Sequence, residues 1–549
     1  MASTLPAVTI GEDGKLSNET TNRILRELDH LTASPRRLGS IGYSMAKLAR
    51  VRCVDMVAAP DERLKGSTEI QGNILAGFNK PVQLFLFLNF KHNQQGARAW
   101  LRRLTGDQRI ATTRDVAAHN REYRDLRKQF GARRLRQERR VRQEWMGVGL
   151  TSWGLVTLHP ELAAELVAFD AYWRGPLSGG RDEQGIWLVP AAVVGDVQKS
   201  DPSAWVVGGP DQDPVDALVT IAADDEDRLR QRMNDELDLV KQYGLELLEV
   251  RQRDGSTTPG QFGQTLPPPD GGSGGIEHFG FRDGVSQPSV RGFTGAEFRN
   301  KRWESARKPG SPIIATGEFV LGYPGERGSY PRTPRPITPS WMRDGSFQVF
   351  LRLTQDVAGW WDRMDRLGSE WSEDIAAKAI GRRRDGTPLA PSGGGDGLND
   401  FDYADDPKGM HTPRFAHIRL ANARDSVFED PTHRLLRRGI PFGPFANDKE
   451  EAEKQDVERG LLLNAFMASI DDQFEFVQRN WMSNPPQAMD GPDPVIGAST
   501  HPCILRREGE EPVPLDLGRF VHTTGAVYAF APSLSTLRLL GEERSMRDG

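Results

Sequence analysis

His278-Phe-Gly280-Phe281-Arg282-Asp283-Gly284-Val-Ser-Gln-Pro288 is the stretch on which the reading of this chain turns. Two glycines flank an Arg-Asp pair, and a proline closes the segment. Glycine permits sharp backbone turns, so a side chain held between two of them can be presented at a surface other residues could not approach. A Pro/Gly-rich loop, residues 267–275, leads into it. Alone, the stretch reads as an Asp-Gly turn bearing a solvated acid. The rest of the chain decides whether it is more.

The chain has 549 residues, 37% hydrophobic and 27% charged, a balance that can bury a sizeable core. The formal net charge is -5 and the pI is near 6.1, so no basic excess suggests nucleic acid. The arginine-rich run at 121–142 is local and broken by Asp125 and Glu138, as in a solvated helix face. Two cysteines, Cys53 and Cys503, cannot form a disulfide framework or a Cys-based zinc site, and they fit a reducing compartment. No basic start followed by an apolar run opens the chain, and the apolar runs at 84–90 and 461–466 are strand-sized. The expectation is a cytoplasmic protein with no membrane span.

Four segments follow: an N-terminal extension at 1–66, a first lobe at 67–262, a connecting segment at 263–345 that carries the Asp283 loop, and a second lobe at 346–549. Within the extension, residues 18–31 have the spacing of a short amphipathic helix. In the first lobe, strands are predicted at 82–90, 146–151, 216–223 and 245–251, with helices at 94–105 and 225–243. In the second, strands are predicted at 345–354, 415–420, 461–468 and 525–532, with helices at 357–366, 471–481 and 534–540. Each lobe runs strand, helix, strand, strand, helix, strand. That cadence predicts an α+β fold of duplicated ferredoxin-like lobes, antiparallel sheets with helices packed outside. The natural pocket is the space between the lobes.

Two further stretches carry chemistry. In Phe415-Ala-His417-Ile-Arg419-Leu-Ala-Asn-Ala-Arg424, a histidine sits among apolar neighbours with two arginines close by. A lone strand histidine is usually structural, but a haem pocket needs one neutral imidazole for the iron and cations for the propionates. In Leu435-Leu-Arg437-Arg438-Gly439-Ile-Pro441-Phe-Gly443, a rigid turn could deliver an arginine into a pocket, where a permanent cation stabilises developing charge.

Together these stretches resemble the dye-decolourising (Dyp-type) haem peroxidases, in particular the larger bacterial members. Gly280-Phe-Arg-Asp283-Gly284 matches the family's Gly-x-x-Asp-Gly loop, and similar stretches in the right order cover roughly residues 66–545. The resemblance implies one haem b per chain, held in the second lobe near the lobe interface. It makes His417 the axial iron ligand, Asp283 the distal acid–base residue and Arg437 the distal arginine, with the adjacent Arg438 as the alternative. It places Phe281, Arg282, Gly284 and Arg419 against the cofactor. Hydrogen peroxide and an organic electron donor are the implied partners, and a homo-oligomer is compatible with the resemblance. The chain departs from the family at Ala423, where proline is expected, and at Gly439, where some relatives carry asparagine.

A carboxylate at Asp283 would shuttle the peroxide proton as base and then acid. The axial histidine needs an acceptor on its other ring nitrogen, for which Glu475 is the candidate. The competing readings are a haem-handling protein without turnover and a non-haem scaffold.

Overall fold

Runs of apolar residues become strands because a pleated sheet buries them while pairing every backbone amide. In the computed structural model, residues 64–130, 143–177, 200–266, 275–294, 296–299, 302–305, 313–326, 335–368, 372–390, 399, 401–424, 430–455, 457–497, 501–544 and 546 are described. The helix expected at 18–31, Cys53 and most of the 267–275 loop lie outside them.

The first lobe contributes β1 (Val82–Asn89), β2 (Glu144–Leu150), β3 (Ala217–Ala223), β4 (Glu246–Leu248) and β5 (Gln261–Gln264). The second contributes β6 (Ser346–Gln355), β7 (Leu436–Arg437), β8 (Ile440–Phe442), β9 (Gly460–Met467) and β10 (Val521–Ala531). In space the first lobe runs β4-β1-β3-β2 and the second β7-β9-β6-β10. With each lobe's strands numbered along the chain, both lobes therefore have the same order, 4-1-3-2, when β8 is taken with β7 on the edge of β9. The duplication inferred from cadence is thus present in the pairing itself.

Helices follow the strands where caps start them. Asn93 accepts the Gly96 amide to open α1 (Gln94–Gly106), and Asp225 accepts the Arg228 amide to open α2 (Glu226–Gln242). Asp356 does the same at the Gly359 amide for α3 (Val357–Leu367). Two elements differ from expectation. Residues 415–420 do not form a strand but lead into the short helix α4 (His417–Ala421). The helix expected at 471–481 takes wider π-helical turns, Ile470–Glu475 and Val477–Ser483. No helix among the described residues is long and apolar enough to cross a membrane.

The lobes meet in two ways. Their sheets join edge to edge at one pair, Phe530 opposite Leu150. Their faces also pack: Phe85 and Phe87 of β1 lie 4.9 and 5.3 Å from Phe350 of β6, within a buried cluster that includes Leu218, Leu462 and Val527. The space between the lobes, expected to be the pocket, is therefore filled by side chains.

Gln71 clasps the joint from the first lobe. Its Nε2 donates to Val148 O at 2.8 Å and Pro532 O at 2.9 Å, while its Oε1 accepts the Val148 amide at 2.8 Å. All of these groups are buried. Gln71→Ala strands them without water and is expected to lower unfolding free energy by about 3 kcal/mol, read from the denaturant midpoint at unchanged slope.

Candidate active site

Phe350 faces the first lobe, so its neighbours Leu351 and Leu353 face the other way. With Leu461 and Leu463 of β9 they line a cavity of about 290 Å³. Its lining comes from residues 277–288 of the connecting segment and 351–523 of the second lobe. The cavity thus lies on the helix-covered side of the second lobe.

The Asp283 loop forms one wall. Gly280 and Gly284 adopt φ of +94° and +69°, the left-handed region that favours glycine. His278 anchors the loop from behind, donating from Nε2 to Phe442 O at 2.8 Å, and burial pushes its imidazole down to about 4, so it stays neutral. The Asp283 amide donates to Gly275 O at 3.2 Å. Phe281, Arg282, Asp283 and Gly284 all line the cavity.

The two adjacent arginines part company. Arg437 lines the cavity, with Nη1 3.9 Å from Asp283 Oδ1 and Nη2 donating to Ser286 O at 2.8 Å. Gln287 accepts the Arg437 amide at 3.2 Å and donates to its carbonyl at 2.9 Å, fixing the strand end beneath it. Arg438 turns to the first lobe and donates to the carbonyls of Asn73, Ile74 and Leu75, each at 2.9 Å. Gly439 is absent from the cavity lining and lies against the Leu462 carbonyl. A larger residue there would meet backbone.

His417 opens α4 and lines the same cavity. Its Nδ1 donates to Asp493 Oδ2 at 2.8 Å, while Asp493 Oδ1 accepts the Val495 and Ile496 amides, both at 2.8 Å. Burial opposes protonation of the imidazole, but the Asp493 charge and hydrogen bond outweigh it and hold the pKa above the usual value. Arg437 and Asp283 also act on His417 electrostatically, which places all three groups in one field. The candidate partner Glu475 is not the acceptor. It is buried beside Tyr528, with Tyr528 Oη donating to Oε1 at 3.3 Å, and pairs with Arg479 Nη2 at 3.4 Å.

Arg419 is also corrected. It is buried away from the cavity, donating to Thr412 O at 2.8 Å and Asp406 O at 3.0 Å and lying over the Tyr403 ring. A strand would have put residues 417 and 419 on one face. The helix rotates them about 200° apart. The cavity instead receives Arg424, held by Asn399 O at 2.6 Å and Phe401 O at 2.9 Å, together with Arg282, Arg382, Arg434 and Arg519. Asp493 and Glu277 were missed as site residues; for Glu277, its place next to His278 was the available signal.

This donor set fits a haem. A buried imidazole is oriented through Nδ1, Nε2 has no protein partner among the described residues, the walls are apolar, and arginines are at hand for two carboxylates. Paired ferredoxin-like lobes of antiparallel sheet and covering helices define an α+β fold, with this pocket in the second lobe. A family model described as "Dyp-type peroxidase, C-terminal" matches residues 336–491. Dye-decolorizing peroxidase msp1 of Mycetinis scorodonius is 32% identical over 306 residues, 48% of this chain and 56% of the relative. Multifunctional dye peroxidase DyP2 of Amycolatopsis sp. is 32% identical over 314 residues, 48% and 61% respectively. A dye-decolorizing peroxidase solved in complex with 2,6-dimethoxyphenol superposes with a TM-score of 0.64 at 24% identity, covering 88% of this chain and all of that one. Over residues 336–491 the chain is similar to the C-terminal part of Dyp-type peroxidases, and its fold is that of the solved dye-decolorizing peroxidases. It spans little more than half the length of these curated relatives.

The arginines separate by experiment. Arg438→Leu leaves three first-lobe carbonyls without their donor and is expected to cost about 3 kcal/mol of stability. Arg437→Leu, at a cavity wall, should change stability by less than about 1 kcal/mol in the same denaturation assay.

Proposed function

We propose that this chain is a haem-dependent peroxidase that reduces hydrogen peroxide while oxidising an organic donor such as a dye or phenol, with one haem b per chain. The observation that carries this reading is the meeting, in one cavity, of the Asp493-oriented His417 with the Asp283–Arg437 pair. Relatives named as dye peroxidases support it, as does the phenol bound by the solved neighbour. A buried free thiol at Cys503 is in keeping with a cytoplasmic setting.

Bound haem would supply the iron centre at which peroxide is reduced. His417 would hold that iron through Nε2. Asp493 fixes the ring's tautomer by accepting the hydrogen bond from Nδ1–H and makes the imidazole more electron-rich. Arg424 and Arg382, which line the cavity, would meet the propionates in place of Arg419. Phe281 and Gly284 would lie against the macrocycle, with Arg282 beside them.

At the opposite wall, Asp283 takes a proton from one peroxide oxygen and returns it to the other, directly or through one water. Its Oδ1 accepts the Gly284 amide at 2.6 Å, which fixes the carboxylate and leaves Oδ2 for the proton. Arg437 is permanently charged and stabilises the oxygen that departs. Its bond to Ser286 O keeps the guanidinium from collapsing fully onto Asp283.

The test uses haem-loaded protein mixed with one equivalent of hydrogen peroxide and followed by its visible spectrum. A prompt shift of the haem band is expected. A band that peroxide leaves unchanged would favour the haem-handling reading instead. Asp283→Asn should retain haem and slow the shift by about 100-fold or more. His417→Ala should lose most of its haem on gel filtration, and Asp493→Asn should weaken haem retention by about 10- to 100-fold.

A further inference from the structure

The cavity contains an acid that this chemistry does not use. Glu277 lines it one residue before His278. Its Oε1 accepts the Phe281 amide at 2.8 Å and its Oε2 the Phe279 amide at 2.9 Å, so the carboxyl closes the Gly280 turn. Oε2 also lies 2.6 Å from Gln355 Nε2 at the end of β6, tying the loop to the sheet. Aromatic rings pack on both sides: Phe279 stacks on Trp360 at 4.5 Å and Phe281 lies parallel to Trp361 at 6.5 Å.

No cation pairs with Glu277 among the described residues. Gln355 and the two loop amides face it as neutral dipoles, and the charge that acts on it comes from Asp283 on its own loop. Burial, with a smaller push from Asp283, raises its carboxyl to about 7 against the hydrogen bonds that favour the ionised form. Gln355 supplies an independent sign. Its Oε1 is buried and has no partner among the described residues. Amide oxygen and nitrogen are interchangeable by rotation, and 2.6 Å suits an O–H···O bond better than an N–H···O bond. A proton on Glu277 shared with the Gln355 oxygen satisfies both.

We propose that Glu277 is a positioning residue for Asp283, holding the loop through its two backbone bonds and carrying a proton shared with Gln355, whose loss sets a second negative charge beside Asp283. The inference rests on the peroxidase reading only for the role of Asp283. Like charges on one loop disfavour each other's ionisation, so the proton on Glu277 tunes the distal acid–base step.

Infrared spectroscopy of the haem-free protein tests the proton. Wild type is expected to show a protonated-carboxyl band that titrates away near pH 7 and is lost in Glu277→Gln. Burial also raises Glu475 to about 7, so the band is read in the wild-type-minus-variant difference spectrum, and the absence of a difference band there overturns the proposal. Gln355→Leu serves if that variant does not fold: removing the oxygen that accepts the Glu277 proton should lower the midpoint by about one pH unit, and a midpoint that stays or rises overturns the proposal. In haem-loaded protein, Glu277→Gln should lose the neutral limb of the pH profile for the peroxide-induced spectral shift. A profile identical to wild type overturns the link to Asp283. Wild type that ignores peroxide would sink the peroxidase reading, while the infrared pair still decides the state of Glu277.

Discussion

Side chains on a strand alternate between its faces, and β6 buries both. It is paired on both edges, with β9 and β10. Phe350 packs on the first lobe, while Leu351 and Leu353 line the cavity. Arg352 sits with Phe350 on the lobe-facing side, over the Phe442 ring and bonded to Gln261 of β5 and to Glu458. Gln355 ends the cavity face at Glu277. A slip of one residue would exchange these faces, driving Arg352 into the cavity and Leu351 between the lobes. Lobe packing and pocket shape are therefore one constraint, met by the register of a single strand.

Much of this was readable from residue order. Continuous apolar runs such as Val82–Asn89 have no other stable home than a buried strand. Acids at the head of a polar, charged window marked the start of α2, which Asp225 caps. The Asp283 loop was legible because paired glycines leave a local mark that does not depend on distant contacts. His417 was legible as a residue but not in its setting. Ile418 and the alternation around it favour a strand, whereas the structure makes a one-turn helix. That choice decides where Arg419 points, so an error of element type became an error of site assignment.

Other parts of the site have no local signature. Asp493 lies 76 residues beyond His417 and reaches it only once the π-helical turns have carried the chain around the pocket. Nothing in Gly491-Pro-Asp493-Pro distinguishes that acid from any acid in a proline-bounded turn. The division of labour between Arg437 and Arg438 was equally hidden. Neighbours on a strand point in opposite directions, but which direction is the cavity depends on pairing with β9.

That pair of arginines has a bearing on assembly. Arg438 grips the carbonyl end of Gly72–Leu75, a helix at the very start of the first lobe, while the residue before it stands in the cavity wall. The grip exists only after segments some 360 residues apart have met. Until then the strand end that carries Arg437 lacks one of its two anchors. A second lobe folded alone would hold the imidazole side of the pocket but present an incompletely seated guanidinium, so a complete pocket requires both lobes, although the first contributes nothing to its walls.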